Sequence, residues 1–101
     1  MKFTFAHNNI NVLDLGKSLA FYKEALGLAE SRRKETENFT LVYLTDGATP
    51  HLLELTWLKD RTEAYDLGDN EIHLAFAVDD LAAAHEDVYK RQAWSRPWAW
   101  T

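Results

Sequence analysis

The stretch HNNINVLDL (residues 7–15) has a counterpart 66 residues further along the chain, in EIHLAFAVDDL (residues 71–81). Each copy contains a histidine, four residues, a valine, one residue and then Asp-Leu. In each copy a strand-like run of apolar residues is followed by Asp and apolar residues at helical spacing, which predicts a strand followed by a capped helix. A change from strand to helix at the same place in both copies indicates a duplicated structural unit.

The first copy continues into a pattern typical of a βαβββ module. We expect a strand from Phe3 to Val12, then a helix that Asp14 caps and Gly27 ends. Three strands are predicted after this helix, in LAESRRKE, FTLVYL and HLLELTWL, with the turn sequence DGATP before the last of them. Residues 1–58 therefore form one predicted module.

The second copy begins after a polar connection at residues 59–70. It is predicted to start again with a strand and a helix over residues 71–88, and Asp80 is the expected helix cap. We therefore predict an α+β fold with one βαβββ module and the beginning of a second. Residues 89–101 are atypical because they include three Trp within seven residues. We interpret them as a non-native tail left by truncation, frameshift or read-through, the alternative being an aromatic cover for an exposed core.

Composition narrows the possible functions. The chain has 101 residues, a formal net charge of −5 and no Cys. A disulfide scaffold and a thiolate metal site are excluded, so the ligands of any bound metal are nitrogen and oxygen atoms. The acidic balance argues against nucleic-acid binding, and SRRK (residues 31–34) is interpreted as a solvated strand or loop edge. No apolar run is long enough for a signal peptide or a membrane span, which predicts a cytoplasmic protein.

Three side chains are candidate metal ligands. Strand alternation places His7 on the polar side of the first strand, and Glu54 within a run of large apolar residues. His73 has small neighbours, Ala75 and Ala77, on its own side of the predicted strand. Two imidazoles and one carboxylate on rigid strands suit a divalent cation. The alternative is that each histidine is an ordinary hydrogen-bonded residue and that Glu54 faces solvent.

Four segments carry a resemblance to a known family, namely HNNINVLDLGKSLAFYKEALGL, LLELTW, YDLG and IHLAFAVDDL. In this order and spacing the chain resembles glyoxalase I, or lactoylglutathione lyase, of the vicinal oxygen chelate superfamily, in its short bacterial form. The resemblance implies a homodimer with a divalent metal (Ni, Zn, Co, Mn or Fe) bound by His7, Glu54 and His73, with Glu54 also a possible base. The implied substrate is the hemithioacetal of a 2-oxoaldehyde and a small thiol such as glutathione.

Two departures from the family pattern bear on activity. The family's fourth ligand, a Glu in the last strand, has no counterpart, which predicts weak metal binding and slow or absent isomerisation. Asn11 is a predicted substrate-binding position, but it stands where glutathione-using members tend to carry Arg for the thiol's carboxylate. Two other functions of the same fold remain open, an extradiol dioxygenase that also uses two His and one carboxylate, and a metal-free small-molecule-binding protein.

Overall fold

The first module is a four-stranded sheet with one helix on its inner face. A computed structural model describes residues 1–95. The elements in chain order are β1 (His7–Val12), α1 (Leu15–Leu26), β2 (Ala29–Glu35), β3 (Phe39–Thr45), β4 (Leu52–Leu58) and α2 (Leu81–Ser95). The sheet order is β1-β4-β3-β2; β1 runs parallel to β4, and the other two pairings are antiparallel. The predicted βαβββ order and α+β class are confirmed.

Strand β1 is shorter than predicted. It begins at His7 rather than Phe3, because β4 starts at Leu52 and the register pairs Leu52 with His7. Residues before His7 therefore have no facing strand residues to continue the ladder, and the side chains of Phe3 and Phe5 are exposed. The alternation itself is as predicted, since Val12 is buried and His7 lies on the opposite, open face.

Helix α1 has the ends that its sequence predicts. The Asp14 carboxylate accepts a hydrogen bond from the Lys17 amide at 3.0 Å, and Gly27 closes the helix in the left-handed conformation with φ of 68°. The helix packs its apolar side on the sheet through Phe21, which is fully buried. The buried core consists of Val12, Phe21, Tyr22, Leu28, Val42, Leu44, Leu53 and Leu55.

Strands β2, β3 and β4 confirm the three predicted strands. Every residue of β2 is exposed, as expected for the edge of the sheet, whereas β3 and β4 alternate between buried and half-buried positions. The charged sequence at residues 31–34 therefore lies on an edge strand, in agreement with its interpretation as a solvated edge. Charged residues at such an edge oppose pairing with other chains.

The second unit is only partly as predicted. Asp80 caps α2 by accepting a hydrogen bond from the Ala83 amide at 3.0 Å. The strand expected over residues 71–78 is wrong, because these residues belong to no strand. Among residues 1–95 no other strand lies alongside them, and a strand is stable only through its pairing. Helix α2 continues to Ser95, past the predicted boundary at residue 88, and the rest of the atypical tail lies outside the described residues.

Candidate active site

The open face of the sheet, opposite α1, carries a row of polar side chains. The register places Asn9 beside Glu54 on β4, Glu54 beside Tyr43 on β3, and Tyr43 beside Arg32 on β2. His7 lies one pleat further along β1 on the same face. Side chains from four strands therefore meet on one surface, although they are far apart in sequence.

His7 and Glu54 are the predicted ligands that the structure brings together. The Nε2 atom of His7 lies 3.9 Å from Oε1 of Glu54, and the two side chains are 40% and 12% exposed. Two donors on a tetrahedral ion with bonds of about 2.1 Å lie about 3.4 Å apart, so a side-chain shift of roughly 0.5 Å would bring both atoms to one ion. The pair offers one neutral nitrogen and one anionic oxygen, the donor types that a divalent transition metal accepts.

Neighbouring side chains hold the Glu54 carboxylate in place. The hydrogen bond from the Tyr43 hydroxyl to Glu54 raises the pKa of Tyr43, with smaller contributions from desolvation and from the Glu54 charge. The Asn9 amide, oriented to satisfy its hydrogen bonds, donates to Oε1 of Glu54 at 2.9 Å and also contacts Thr56. The carboxylate is thereby fixed in direction on a rigid strand, and 12% of its side chain remains exposed on the open face.

Aromatic contacts extend this cluster in two directions. The imidazole of His7 meets the ring of Tyr43 edge to face, with centroids 5.4 Å apart. The Arg32 guanidinium lies 4.2 Å from the centroid of the same Tyr43 ring. Tyr43 is therefore the residue that connects the possible ligand pair to a cation.

His73 is not part of this cluster. It is exposed, it lies in the unpaired segment before α2, and residues 1–95 contain no group of three His, Cys, Asp or Glu side chains that could hold a metal ion. Two of the three predicted ligands therefore meet within the chain. The assignment of His73 as the third ligand remains a prediction.

Asn11 lies on the open face, one pleat beyond Asn9. It pairs with Thr56 in the register, and its side chain contacts the amide of Asn9. Its position borders the cluster, and its assignment to substrate binding remains a prediction. Its amide supplies no charge.

Tyr43 and Arg32 were not singled out from the sequence. Alternation in FTLVYLT does predict that Tyr43 lies on the face opposite the buried Val42 and Leu44. The pairing that brings it to Glu54 depends on the β3–β4 register, and the position of Arg32 depends on a bulge between Glu30 and Arg32. Neither is readable from a single strand.

The fold and the cluster together define a βαβββ module with polar residues on its open sheet face. The Glyoxalase/Bleomycin resistance protein/Dioxygenase superfamily matches residues 4–93. The chain belongs to this superfamily. Among the described residues, neither helix has the length and apolar character needed to cross a membrane.

Curated relatives narrow the similarity to glyoxalase I. Lactoylglutathione lyases from Neisseria meningitidis serogroups A and B are 43% identical over 90 residues, covering 85% of this chain and 64% of the relative. A probable lactoylglutathione lyase from Vibrio parahaemolyticus is 37% identical over 86 residues, covering 81% of this chain and 62% of that protein. The chain thus spans less than two thirds of the length of these relatives.

Solved structures agree with this similarity. The glyoxalase I of Leishmania major, described as trypanothione-dependent, superimposes with a TM-score of 0.77 at 29% identity, covering 90% of this chain and 68% of that one. A glyoxalase I variant from Zea mays superimposes with a TM-score of 0.69 at 27% identity, and the match covers 89% of this chain and 33% of the Zea mays chain. The predicted relationship to glyoxalase I is therefore confirmed at the level of family and fold.

Proposed function

We propose that this protein is a metal-dependent glyoxalase I that converts the hemithioacetal of a 2-oxoaldehyde and a small thiol into a 2-hydroxyacyl thioester. The observation that carries the proposal is the pairing of His7 and Glu54 on the open sheet face, with a nitrogen and an oxygen 3.9 Å apart. Relatives named as lactoylglutathione lyases favour this reaction over that of a dioxygenase.

Residues 1–95 of one chain bring together fewer ligands than a divalent ion needs. Protein sites for such ions use three or four side chains, whereas in this part of the chain His7 meets Glu54 and no group of three possible ligands forms. We infer that the pair is half of a site and that a second copy of the chain contributes His73. A homodimer is therefore part of the proposal. A bound divalent ion would supply a Lewis acid where negative charge develops on two neighbouring oxygens.

The reaction moves one proton between adjacent carbons and a second proton between their oxygens. A base removes the C–H proton from the carbon that bears sulfur and hydroxyl and delivers a proton to the former carbonyl carbon. The hydroxyl proton passes to the former carbonyl oxygen, so that the first carbon becomes the thioester carbonyl. Glu54 is the carboxylate available for this step, because it is fixed in direction and open on one side. Its hydrogen bonds from Tyr43 and Asn9 restrict its motion, which keeps the base close to both carbons.

Two finer points extend the proposal. The thiol is proposed to be of the glutathione type, because the curated relatives are lactoylglutathione lyases. Cytoplasmic location is proposed from the absence of Cys and of long apolar runs in the sequence.

Mixing of variants tests whether two copies share a site. H7A and H73A, each alone, should lose the visible absorption of bound cobalt(II), since every site in either homodimer lacks one imidazole. After subunit exchange, half of the dimers are mixed and each mixed dimer has one intact site, so about one quarter of the wild-type signal should return.

A matched control is the mixture of H7A with E54Q. Both residues belong to the same half of the proposed site, so this mixture should recover nothing. Failure of H7A and H73A to complement each other, or absence of cobalt binding by the wild-type chain, would contradict the proposed site. Isomerisation of the methylglyoxal–glutathione hemithioacetal, followed at the thioester absorption, provides the activity readout for the same samples.

A further inference from the structure

Arg32 lies at the edge of the open face, two strands away from Glu54. Its strand position pairs with Tyr43, which in turn pairs with Glu54. With neighbouring strands about 4.8 Å apart, the backbones of Arg32 and Glu54 are separated by about 10 Å. The guanidinium does not extend away into solvent but lies 4.2 Å from the Tyr43 ring centroid. The Arg32 side chain therefore lies on the open sheet face, beside the side chains of the candidate active site.

The adjacent residue, Arg33, has a different environment. It lies on the other face of β2 and forms ion pairs with Glu30 at 2.8 Å and with Glu35 at 3.1 Å. These two carboxylates are therefore occupied away from the open face. Among residues 1–95, no carboxylate lies within ion-pair distance of Arg32, although its charge acts on the Tyr43 hydroxyl.

Stacking on an aromatic ring leaves the edge of a guanidinium available. Arg has five N–H donors in one plane, and a ring beneath that plane orients them without consuming most of them. The planar fork matches the geometry of a carboxylate. Lys34 adds a second positive charge on the same face, because it pairs with Leu41 one pleat beyond Tyr43.

We propose that Arg32 binds the carboxylate of the thiol co-substrate and so determines the preference of this site for an anionic thiol. This inference rests on the proposed function, since it assigns the substrate class of that site. The Arg32 guanidinium lies over the ring of Tyr43, the residue that pairs with Glu54, so the two groups are separated by about the width of one aromatic side chain. This separation suits a thiol whose carboxylate is several bonds from its sulfur, as in a small peptide. Asn9 and Asn11, which border Glu54 and Thr56, are uncharged and cannot take this role.

Binding of reduced glutathione to the full 101-residue chain tests the proposal without metal. Titration of the 15N-labelled protein, followed by NMR chemical shifts, should show R32Q weakened about tenfold relative to wild type. R33Q is the matched control, because it removes the same charge one residue away on the opposite face, and its affinity should match wild type. R32K should recover part of the loss, since it keeps the charge but not the fork.

The ligand's charge provides the second control. Glutathione diethyl ester, which lacks both free carboxylates, should bind wild type and R32Q equally. Equal weakening by R32Q and R33Q, an unchanged R32Q, or no measurable glutathione binding by wild type would overturn the proposal. The cobalt complementation experiment reports on the metal site separately, so a failure there with an intact R32Q effect would reject the proposed catalysis and leave the carboxylate site standing.

Discussion

The two copies of the His–Val–Asp-Leu pattern share four residues at the same spacing, but they differ in tertiary structure. Around His7 the segment becomes β1, paired along its length with β4. Around His73 the same pattern belongs to no strand. The helix cap is nevertheless identical in the two copies, with hydrogen bonds of 3.0 Å at Asp14 and Asp80. A cap is a contact between residues three apart, whereas a strand depends on a distant partner.

Apolar burial separates the two regions in the same way. Val12 in the first copy is 2% exposed, whereas Val78 at the same place in the second copy is 51% exposed. Ile72 and Leu81 are also largely exposed, at 88% and 75%. Apolar surface of this kind favours association with further chain, in keeping with the proposed dimer. Four measurements test this difference between the two copies.

Hydrogen exchange should separate the two copies most clearly. Amides of β1 that donate to β4 open only with unfolding of the sheet, so we expect protection of about 10³-fold or more. In the metal-free chain at a concentration low enough to keep it monomeric, amides of residues 71–78 should exchange close to the rate of an unstructured chain, because no strand pairs with them. Amide-resolved exchange by NMR or mass spectrometry checks this, and comparable protection in the two segments would show that the second copy is paired in solution.

Leucine truncation should show where the stable core lies. L55A removes a fully buried side chain between β1 and β3 and should lower the free energy of unfolding by about 3 kcal/mol. L81A removes a side chain that is 75% exposed and should change it by less than about 0.5 kcal/mol. Urea denaturation followed by circular dichroism gives both values. A large effect of L81A would mean that the second copy contributes its own core.

Removal of the two helix caps tests whether identical local contacts contribute equally to the free energy of unfolding. D14A should cost about 1 kcal/mol of global stability, because α1 is part of the core. D80A should cost less than about 0.5 kcal/mol globally and should mainly fray α2, where Val88 is only half-buried. Equal losses in urea denaturation would contradict this difference between the two helices.

The smallest effect concerns the turn between β3 and β4. The Asp46 carboxylate accepts hydrogen bonds from the amides of Thr49 and Ala48 and from the Thr49 hydroxyl, which hold its pKa below the usual value. A lowered pKa in the folded state contributes stability above the unfolded pKa, and that contribution is lost as the pH falls through the folded value.

Denaturation of wild type and D46A at several pH values measures this contribution. The stability difference between them should therefore be constant near neutral pH and shrink once the pH falls below about 4. Because Asp46 is exposed, the difference should be small throughout. A difference that grows on acidification would contradict the assignment of these hydrogen bonds.

In the candidate site, too, some residues can be predicted from a single segment, whereas others depend on the pairing of distant strands. His7 and Glu54 were predicted from residue type and alternation, because a polar side chain on one face of a strand is a local property. Tyr43 and Arg32 were missed, because their proximity to Glu54 follows from the order and register of β2, β3 and β4. The third predicted ligand, His73, has the right residue type but no strand to place it.

Residue types and spacings predicted where both helices start, where α1 ends, which face of β1 is polar, and which superfamily the chain resembles. These properties depend on residue type, spacing and contacts within a few residues. Tertiary contacts, by contrast, make β1 a strand and leave residues 71–78 without one, and they bring Tyr43 and Arg32 beside the pair formed by His7 and Glu54. Strand pairing and side-chain clusters require backbone hydrogen bonds between distant segments, and no single segment encodes its partner.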